Sequence, residues 1–494
     1  MILLFLALVC VLYFLVYIYY KHVYIFEKHL KCFPSPPDIP ILGHALDFAF
    51  TDKGFLDVLM HYTRNYGDIV RVKTGPHRQL LLISNYNFFQ FVLTNMKILK
   101  KSVEYRYFHN WLGTGLITSS GAKWKRHRQI ITPTFHYKIL EDFVDIFESN
   151  AKILVKKFES CSDSTSVDIF DLVNLCTLDI ICESAMGTSV NAQLNSDSEY
   201  VQSVKNMLDI VIARVFSPIK MTDWTYFFTE DYRKEKKALK VIHSYTWNVI
   251  KRRQEFLKSE KNENHAGYQK RKAFLDLLLE ANSNGEQLTL EEIREEVDTF
   301  MFAGHDTTGT GIAFILFCLA NNAEEQAKVF MEQKQLFGDN FERPPTFQDL
   351  KNMKYLEMAI KESLRLYPPA PFYSRELDHD VLYEGTVLPK GLTLTLFSYA
   401  LHRNPNYFPE PERFLPSRFQ NYDGKMPFAF LPFSAGARNC IGQRFAMAEM
   451  KSVVSRILRS FELLPSIPSH ELKLASQTIL ISSNGVRIRF RKRL

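Results

Sequence analysis

The first twenty residues, MILLFLALVCVLYFLVYIYY, carry no charge, and no later run of that length does without one. About 20 apolar helical residues cross a bilayer core, so residues 1–20 read as a membrane-spanning helix. Tyr13, Tyr17, Tyr19 and Tyr20 gather at its far end, where an interfacial aromatic belt would lie. Lys21, Lys28 and Lys31 follow, with no positive residue before them. That asymmetry sets the following chain on the cytoplasmic side. A cleaved signal peptide would need a basic leading segment and a small-residue cleavage site, and both are missing. Pro34, Pro36, Pro37 and Pro40 then make a stiff, non-helical connector ending at Gly43.

Beyond the connector the apolar spacing changes character. Residues 69–84, IVRVKTGPHRQLLLIS, hold two β-rich runs around Gly75-Pro76 and predict a hairpin. From 87 to about 280, aromatic and aliphatic residues recur at three- and four-residue intervals, the period of helices. Residues 258–272, KSEKNENHAGYQKRK, are polar and charged and predict an exposed loop. Thr289 with Glu292 fits a capping box, opening a helix that runs to Asn321. MKYLEMAIKESLRLY is a further helix, stopped by Pro368-Pro369. Residues 381–400 predict short strands turning at Glu384-Gly385 and Lys390-Gly391, and TILISS and VRIRF flank Asn484-Gly485, a hairpin signal. There is no repeat and no domain boundary after residue 50. The expected architecture is mainly α with small β-sheets (α+β). It has an anchor at 1–20, a basic and proline-rich hinge at 21–43, and one domain at 44–494.

Composition narrows the chemistry. The chain has 494 residues, 46% of them hydrophobic, ample for a large core. Net charge is 61 − 54 = +7, too dispersed for nucleic-acid binding. The seven cysteines are odd in number, scattered, and form no C-x-x-C pair. That argues against a disulfide framework or structural zinc and for a reducing compartment. One of them needs its own explanation.

Within PFSAGARNCIGQRFAMAEM, residues 432–450, Cys440 lies between Gly436 and Gly442, just ahead of an apolar helix. A thiolate there is stabilised by the helix dipole and by unpaired N–H groups. The glycines let the backbone pass close to a flat, bulky ligand, and Arg438 suits an anionic group on it. The pattern Phe433-x-x-Gly436-x-Arg438-x-Cys440-x-Gly442 resembles the heme-binding signature of the cytochrome P-450 superfamily. Glu362-x-x-Arg365 resembles that family's paired helix motif, two residues sharing one helix face. The resemblance puts their third partner at Arg413, in Pro411-Glu412-Arg413-Phe414. Trp124 and Arg128 match the W-x-x-x-R helix that binds a heme propionate, and Arg375 occupies a similar propionate-binding position. The likeness covers nearly the whole chain and points to the microsomal branch. EVDTFMFAGHDTT and WLGTGLITSSGAKWKRHRQIITPTFH are most similar to its fourth family, the fatty-acid ω-hydroxylase-like, insect-type group.

The same resemblance gives a role to TFMFAGHDTTGTG, residues 299–311. Gly304, Gly309 and Gly311 weaken a helix interior, and an acid and hydroxyls sit where the helix should be most buried. AGHDTT resembles the family's oxygen-activating segment. Gly304 would make room beside dioxygen, and Asp306 and Thr307 match the acid–alcohol pair that relays protons. His305, Thr308 and Thr310 are assigned to structure, since a helical Thr commonly bonds back to a carbonyl one turn earlier.

The resemblance further implies heme b with Cys440 as axial thiolate, and NADPH electrons arriving through a membrane reductase, with cytochrome b5 as a further partner. One atom of dioxygen would enter a small apolar substrate: a fatty acid, a terpenoid or hormone, or a xenobiotic such as an insecticide. The protein would be single-pass in the endoplasmic reticulum membrane with a cytoplasmic catalytic domain. Lys123, Lys125, Arg126 and Lys451 are candidates to dock an acidic reductase. Pocket residues are expected, by analogy, at 105–116, 302–303, 370–372 and 476–479. One departure matters: many members of the group carry Glu where this chain has Ala303, and that Glu forms an ester to the heme. Ala303 cannot, so the heme should not be ester-linked. Two other functions fit less well. A reductase-independent peroxide isomerase would not need Asp306 and Thr307, and a non-catalytic heme sensor would need neither relay nor anchor.

Overall fold

The computed structural model describes the chain apart from residues 1, 41, 50–53, 76–77, 136–139, 161–165, 196–198, 263–272, 284–287, 422–423, 425 and 494. It falls into two compact units. The first comprises Met1–Glu104, Phe372–Leu401 and Ala435–Arg438; the second comprises Tyr105–Pro371, His402–Ser434 and Asn439–Leu494.

In the first unit a single helix, Ile2–Leu30, extends past the expected end of the anchor into the hinge. Val9, Val11, Tyr13, Phe14, Val16 and Tyr17 are exposed along it, whereas Phe26 and Leu30 near its end are buried. The side chains of residues 1–8, 12, 15, 18, 19 and 21–23 lie outside the described set. Among the described residues no helix is long and apolar enough to cross a membrane. Lys73 ties the helix end to the proline segment, reaching Glu27 at 2.9 Å and Asp38 at 2.8 Å. The two runs read as a hairpin pair antiparallel, Ile69 opposite Ile83 and Lys73 opposite Gln79; Pro76 lies outside the described residues. Strand Thr393–Leu396 adds parallel to Gln79–Ile83, and Tyr373–Glu376 completes the four-stranded sheet. Ser398–Leu401, expected to end a strand region, is a helical turn.

The second unit is built around the helix Leu290–Asn321. Its start is the predicted capping box: Glu292 N–H donates to Thr289 Oγ1 at 3.1 Å, and Thr289 N–H to Glu292 Oε2 at 3.0 Å. Helices Phe170–Ala185, Lys354–Leu366 and Gln443–Ser460 pack on it. Two of its glycines record how closely. A Cβ at Gly309 would stand 1.9 Å from Asn174 Oδ1, and one at Gly311 would stand 3.0 Å from Met450 Sδ. Glycine here is the condition for helix contact, at a known cost in helix propensity.

Two expectations need correction. The helix Glu230–Asn262 continues into the segment read as a loop at 258–272, whose remaining residues, 263–272, lie outside the described set. The strands around Asn484-Gly485 do not pair with each other. Leu480–Ser482 pairs with Leu474–Ser476, and Arg487–Lys492 pairs with Phe461–Pro465 and Val167–Asp168. The cause is the Asn484 side chain, which accepts from Lys473 N–H and donates to the Glu471 carbonyl, each at 2.9 Å. These bonds tether the turn to an earlier segment, so the chain changes sheets there.

Candidate functional site

From residue 296 to 316 of the central helix, only Ala303, Gly304 and Thr307 keep accessible surface. Their spacing of one, three and four puts them on one helix face, so that face lines an open space within an otherwise buried helix. Thr307 Oγ1 donates to the Ala303 carbonyl at 2.7 Å. Its lone pairs remain to accept. Back-bonding to a carbonyl one turn earlier, expected for the structural threonines, belongs to Thr307. Asp306 is buried, and its Oδ2 has no hydrogen-bond partner among the described residues. Burial raises its carboxyl above the ordinary range, opposed by the charges of His305 and Lys205. A buried carboxyl with one unpartnered oxygen and a raised pKa is better suited to donate a proton than an ordinary carboxylate. Asp306 and Thr307 are successive in the helix and do not face each other. Gly304 also approaches the neighbouring helix: a Cβ there would meet Ile181 Cδ1 and Cγ1 at 2.7 Å, so a larger residue needs Ile181 to shift.

The cysteine loop is closed by a backbone bond from Cys440 N–H to the Phe433 carbonyl, 2.9 Å. Cys440 keeps accessible surface, and Gly442 caps the helix Gln443–Ser460 that follows. Burial raises the Cys440 thiol pKa, while the Gly442 backbone and the charge of Arg128 lower it. A metal ligand must be deprotonated, so both lowering groups favour the liganding form. The six described cysteines are all free.

Trp124 is buried and Arg128 half-buried on the helix Gly121–Ile131. Arg128 donates to the Asn439 carbonyl at 2.9 Å and to Asn439 Oδ1 at 2.7 Å. It therefore grips the residue next to Cys440. Three of the four cations read as reductase-docking are committed within the chain. Lys123 reaches Glu295 at 3.0 Å and Arg126 reaches Glu292 at 2.5 Å. Lys451, only 6% exposed, donates to Glu357 at 2.6 Å and to the Leu350 carbonyl at 2.9 Å. Lys125 is exposed.

Glu362 and Arg365 form a fully buried bidentate pair with both bonds at 2.8 Å. The third member is not the Arg413 side chain, which pairs with Glu410 at the surface, 3.1 Å away. Arg413 contributes its carbonyl, 3.2 Å from Arg365 Nη2. Arg418 Nε and Leu415 N–H complete the set, each 2.9 Å from Glu362 Oε1.

In the first unit Arg375 is buried and Lys101 faces it across an isolated bridge. Burial and the charges of Arg375 and Arg438 push Lys101 well below the ordinary lysine range. Lys101 thus stands with two arginines, basic groups suited to carboxylates, and sequence reasoning missed it because no local pattern marks it. Gly436 has φ +70°, and a Cβ there would lie 1.9 Å from the Leu93 carbonyl. It is glycine because the helix Tyr86–Thr94 passes against it.

Two of the segments expected near a pocket, 105–116 and 302–303, meet in the second unit. The Phe302 ring lies 5.0 Å from Trp111 and 6.2 Å from Phe108, and Leu480 N–H donates to the Pro369 carbonyl at 2.9 Å. Taken singly, these groups suit a heme: a sulfur for iron, cations for carboxylates, small residues facing open space.

Residues 33–490 match the family described as Cytochrome P450. The chain is 42% identical over 465 residues to Cytochrome P450 4V2 of Mus musculus, covering 92% of this chain and 88% of that protein. Cytochrome P450 4V2 of Homo sapiens gives the same figures. Cytochrome P450 4d2 of Drosophila melanogaster is 40% identical over 472 residues, 93% and 94% of the two chains. Since these matches run nearly end to end, the chain belongs to the cytochrome P450 family as a monooxygenase whose heme b is held by a cysteine thiolate.

Proposed function

We propose that the protein is a membrane-anchored monooxygenase that inserts one oxygen atom into an apolar substrate, with electrons passed from NADPH by a membrane reductase. The substrate is a fatty acid, a terpenoid or hormone, or a xenobiotic. Cytochrome b5 is a further donor, and the body faces the cytoplasm from the endoplasmic reticulum. The observation carrying this reading is the accessible face Ala303–Gly304–Thr307 in a helix otherwise buried from 296 to 316, beside an orphaned buried acid.

Cys440 is the metal ligand. By resemblance to the family's motifs, Trp124 and Arg128 in one unit, and Arg375 and Arg438 in the other, would each suit heme carboxylates, and Phe433, Gly436 and Gly442 would shape the loop around the sulfur. A bound heme would supply dioxygen activation, and a thiolate ligand from Cys440 would favour that chemistry by donating electron density to the iron. Thr307 accepts and passes protons at Oγ1, held in place by the Ala303 carbonyl. Asp306 is the proton reservoir, burial shifting its carboxyl toward the neutral form. Handover requires an intervening water or a side-chain rotation, since no bond joins the two. Ala303 offers no carboxylate, so the heme is held without an ester. The exposed apolar helix surface from Val9 to Tyr20 supports the anchor.

The test is reconstitution of the full chain in lipid with reductase and NADPH, screened against those three substrate classes. Product is expected, and Thr307→Ala should divert NADPH consumption to peroxide. Heme-loaded protein that neither consumes NADPH nor yields product would overturn the proposal.

A further inference from the structure

The helix carrying Trp124 and Arg128 is held by an ionic face that the function above does not use. Lys123, Arg126 and His127 lie three and four residues apart and therefore on one face. They meet Glu292, Glu295 and Glu296, spaced the same way on the central helix. Two rungs are partly exposed: the side chains of Lys123 and Arg126 are 30% and 44% accessible. Exposed pairs contribute little. The third is different. His127 Nδ1 lies 2.6 Å from Glu296 Oε1, and neither side chain has any exposure. The other carboxylate oxygen, Glu296 Oε2, accepts from Leu116 N–H at 3.1 Å. Glu296 is therefore satisfied on both oxygens and joins three segments.

His127 and Arg128 are consecutive. One is fixed to the central helix, the other to Asn439, the neighbour of Cys440. We infer that the buried His127–Glu296 pair is the positioning contact that sets where Arg128, and through it the Asn439–Cys440 segment, stands relative to the central helix. This rests on the assignment of Cys440 as the heme ligand. Outer contacts of this kind hold a ligand in register without touching the metal, and losing one typically costs ~10–100-fold in metal affinity or activity.

The experiment compares full-length holoprotein carrying His127→Leu or His127→Asn with the wild type. The readouts are the rate of heme transfer to excess apo-globin and the fraction of reduced protein showing the red-shifted carbon monoxide band. Asn places an amide N–H where Nδ1–H stood. Expected are ~10-fold or faster heme release and a diminished red-shifted band for His127→Leu, with both restored in His127→Asn. A remote variant, Gln333→Leu, controls for stability: it breaks a buried bond to Ser455 and should lower Tm while leaving the band intact. If His127→Leu does not accumulate, His127→Gln replaces it, because its amide is displaced by one methylene. Equal behaviour of the Asn and Gln proteins, or an unaltered band and release rate in His127→Leu, overturns the inference. A wild-type protein without the red-shifted band would instead sink the assignment of Cys440.

Discussion

The cluster around Glu362 offers a test in which letters and geometry disagree. Arg413 stands in a Pro-Glu-Arg-Phe segment, yet its side chain and that of its partner Glu410 are 64% and 62% exposed. Arg418 reaches the buried carboxylate directly at 2.9 Å, with 12% of its side chain exposed. Arg418→Ala removes a charge-assisted hydrogen bond to a buried acceptor, a loss of ~1.5–3 kcal/mol. The bond from Arg418 Nη1 to the Pro409 carbonyl, 3.0 Å, is exposed, so water replaces it and it adds little. Arg413→Ala removes a surface pair at ~0–1 kcal/mol and leaves the carbonyl used by Arg365 in place. Arg365→Ala, which strips the bidentate partner from a carboxylate with no exposure, should cost most, ~3–5 kcal/mol. The assay is urea unfolding of the full-length holoprotein in detergent, followed in parallel by heme absorbance and far-ultraviolet circular dichroism. The expected order of loss is Arg365 > Arg418 > Arg413, with Arg418→Ala near ~2 kcal/mol, up to ~30-fold in the folded-to-unfolded ratio. Equal losses at 413 and 418 would refute the reasoning.

Two other outcomes follow from the site. Because burial raises the Asp306 carboxyl, the native state keeps this proton to higher pH than the unfolded chain. Stability therefore falls as pH rises from the ordinary carboxylate value of 3.8 through the raised native value. Asp306→Asn should flatten that slope in unfolding free energy measured from acid to neutral pH; an unchanged slope would mean the carboxyl is solvated. Denaturing acid extraction should free all heme from the wild-type polypeptide, whereas heme retained on the chain would contradict the argument from Ala303.

What was legible in the sequence was local. The capping box at Thr289 depends on residues three positions apart, and it formed as expected. Arg418 was not legible, because its role is set by how the chain returns from Pro411 past Glu362. The letters at 411–414 pointed to the wrong arginine. Asn484-Gly485 carried a true turn signal, but the Asn484 side chain bonds to residues 471 and 473 and so redirects the strands. The ion pairs of Lys123 and Arg126, two of the cations read as docking candidates, were not legible because their acidic partners Glu295 and Glu292 lie some 170 residues later. Lys101 carried no signal at all, since only the fold gathers it with Arg375 and Arg438.

The contact between Gly304 and Ile181 bears on how this enzyme can be altered. A methyl group at 304 meets Ile181 unless that side chain shifts, so selection on this helix face acts on two helices together. In a mutant library that varies 303, 304 and 307 alone, crowding against Ile181 and a chemical failure of Gly304→Ala give the same result. Including Ile181→Ala in the same library separates crowding from chemistry.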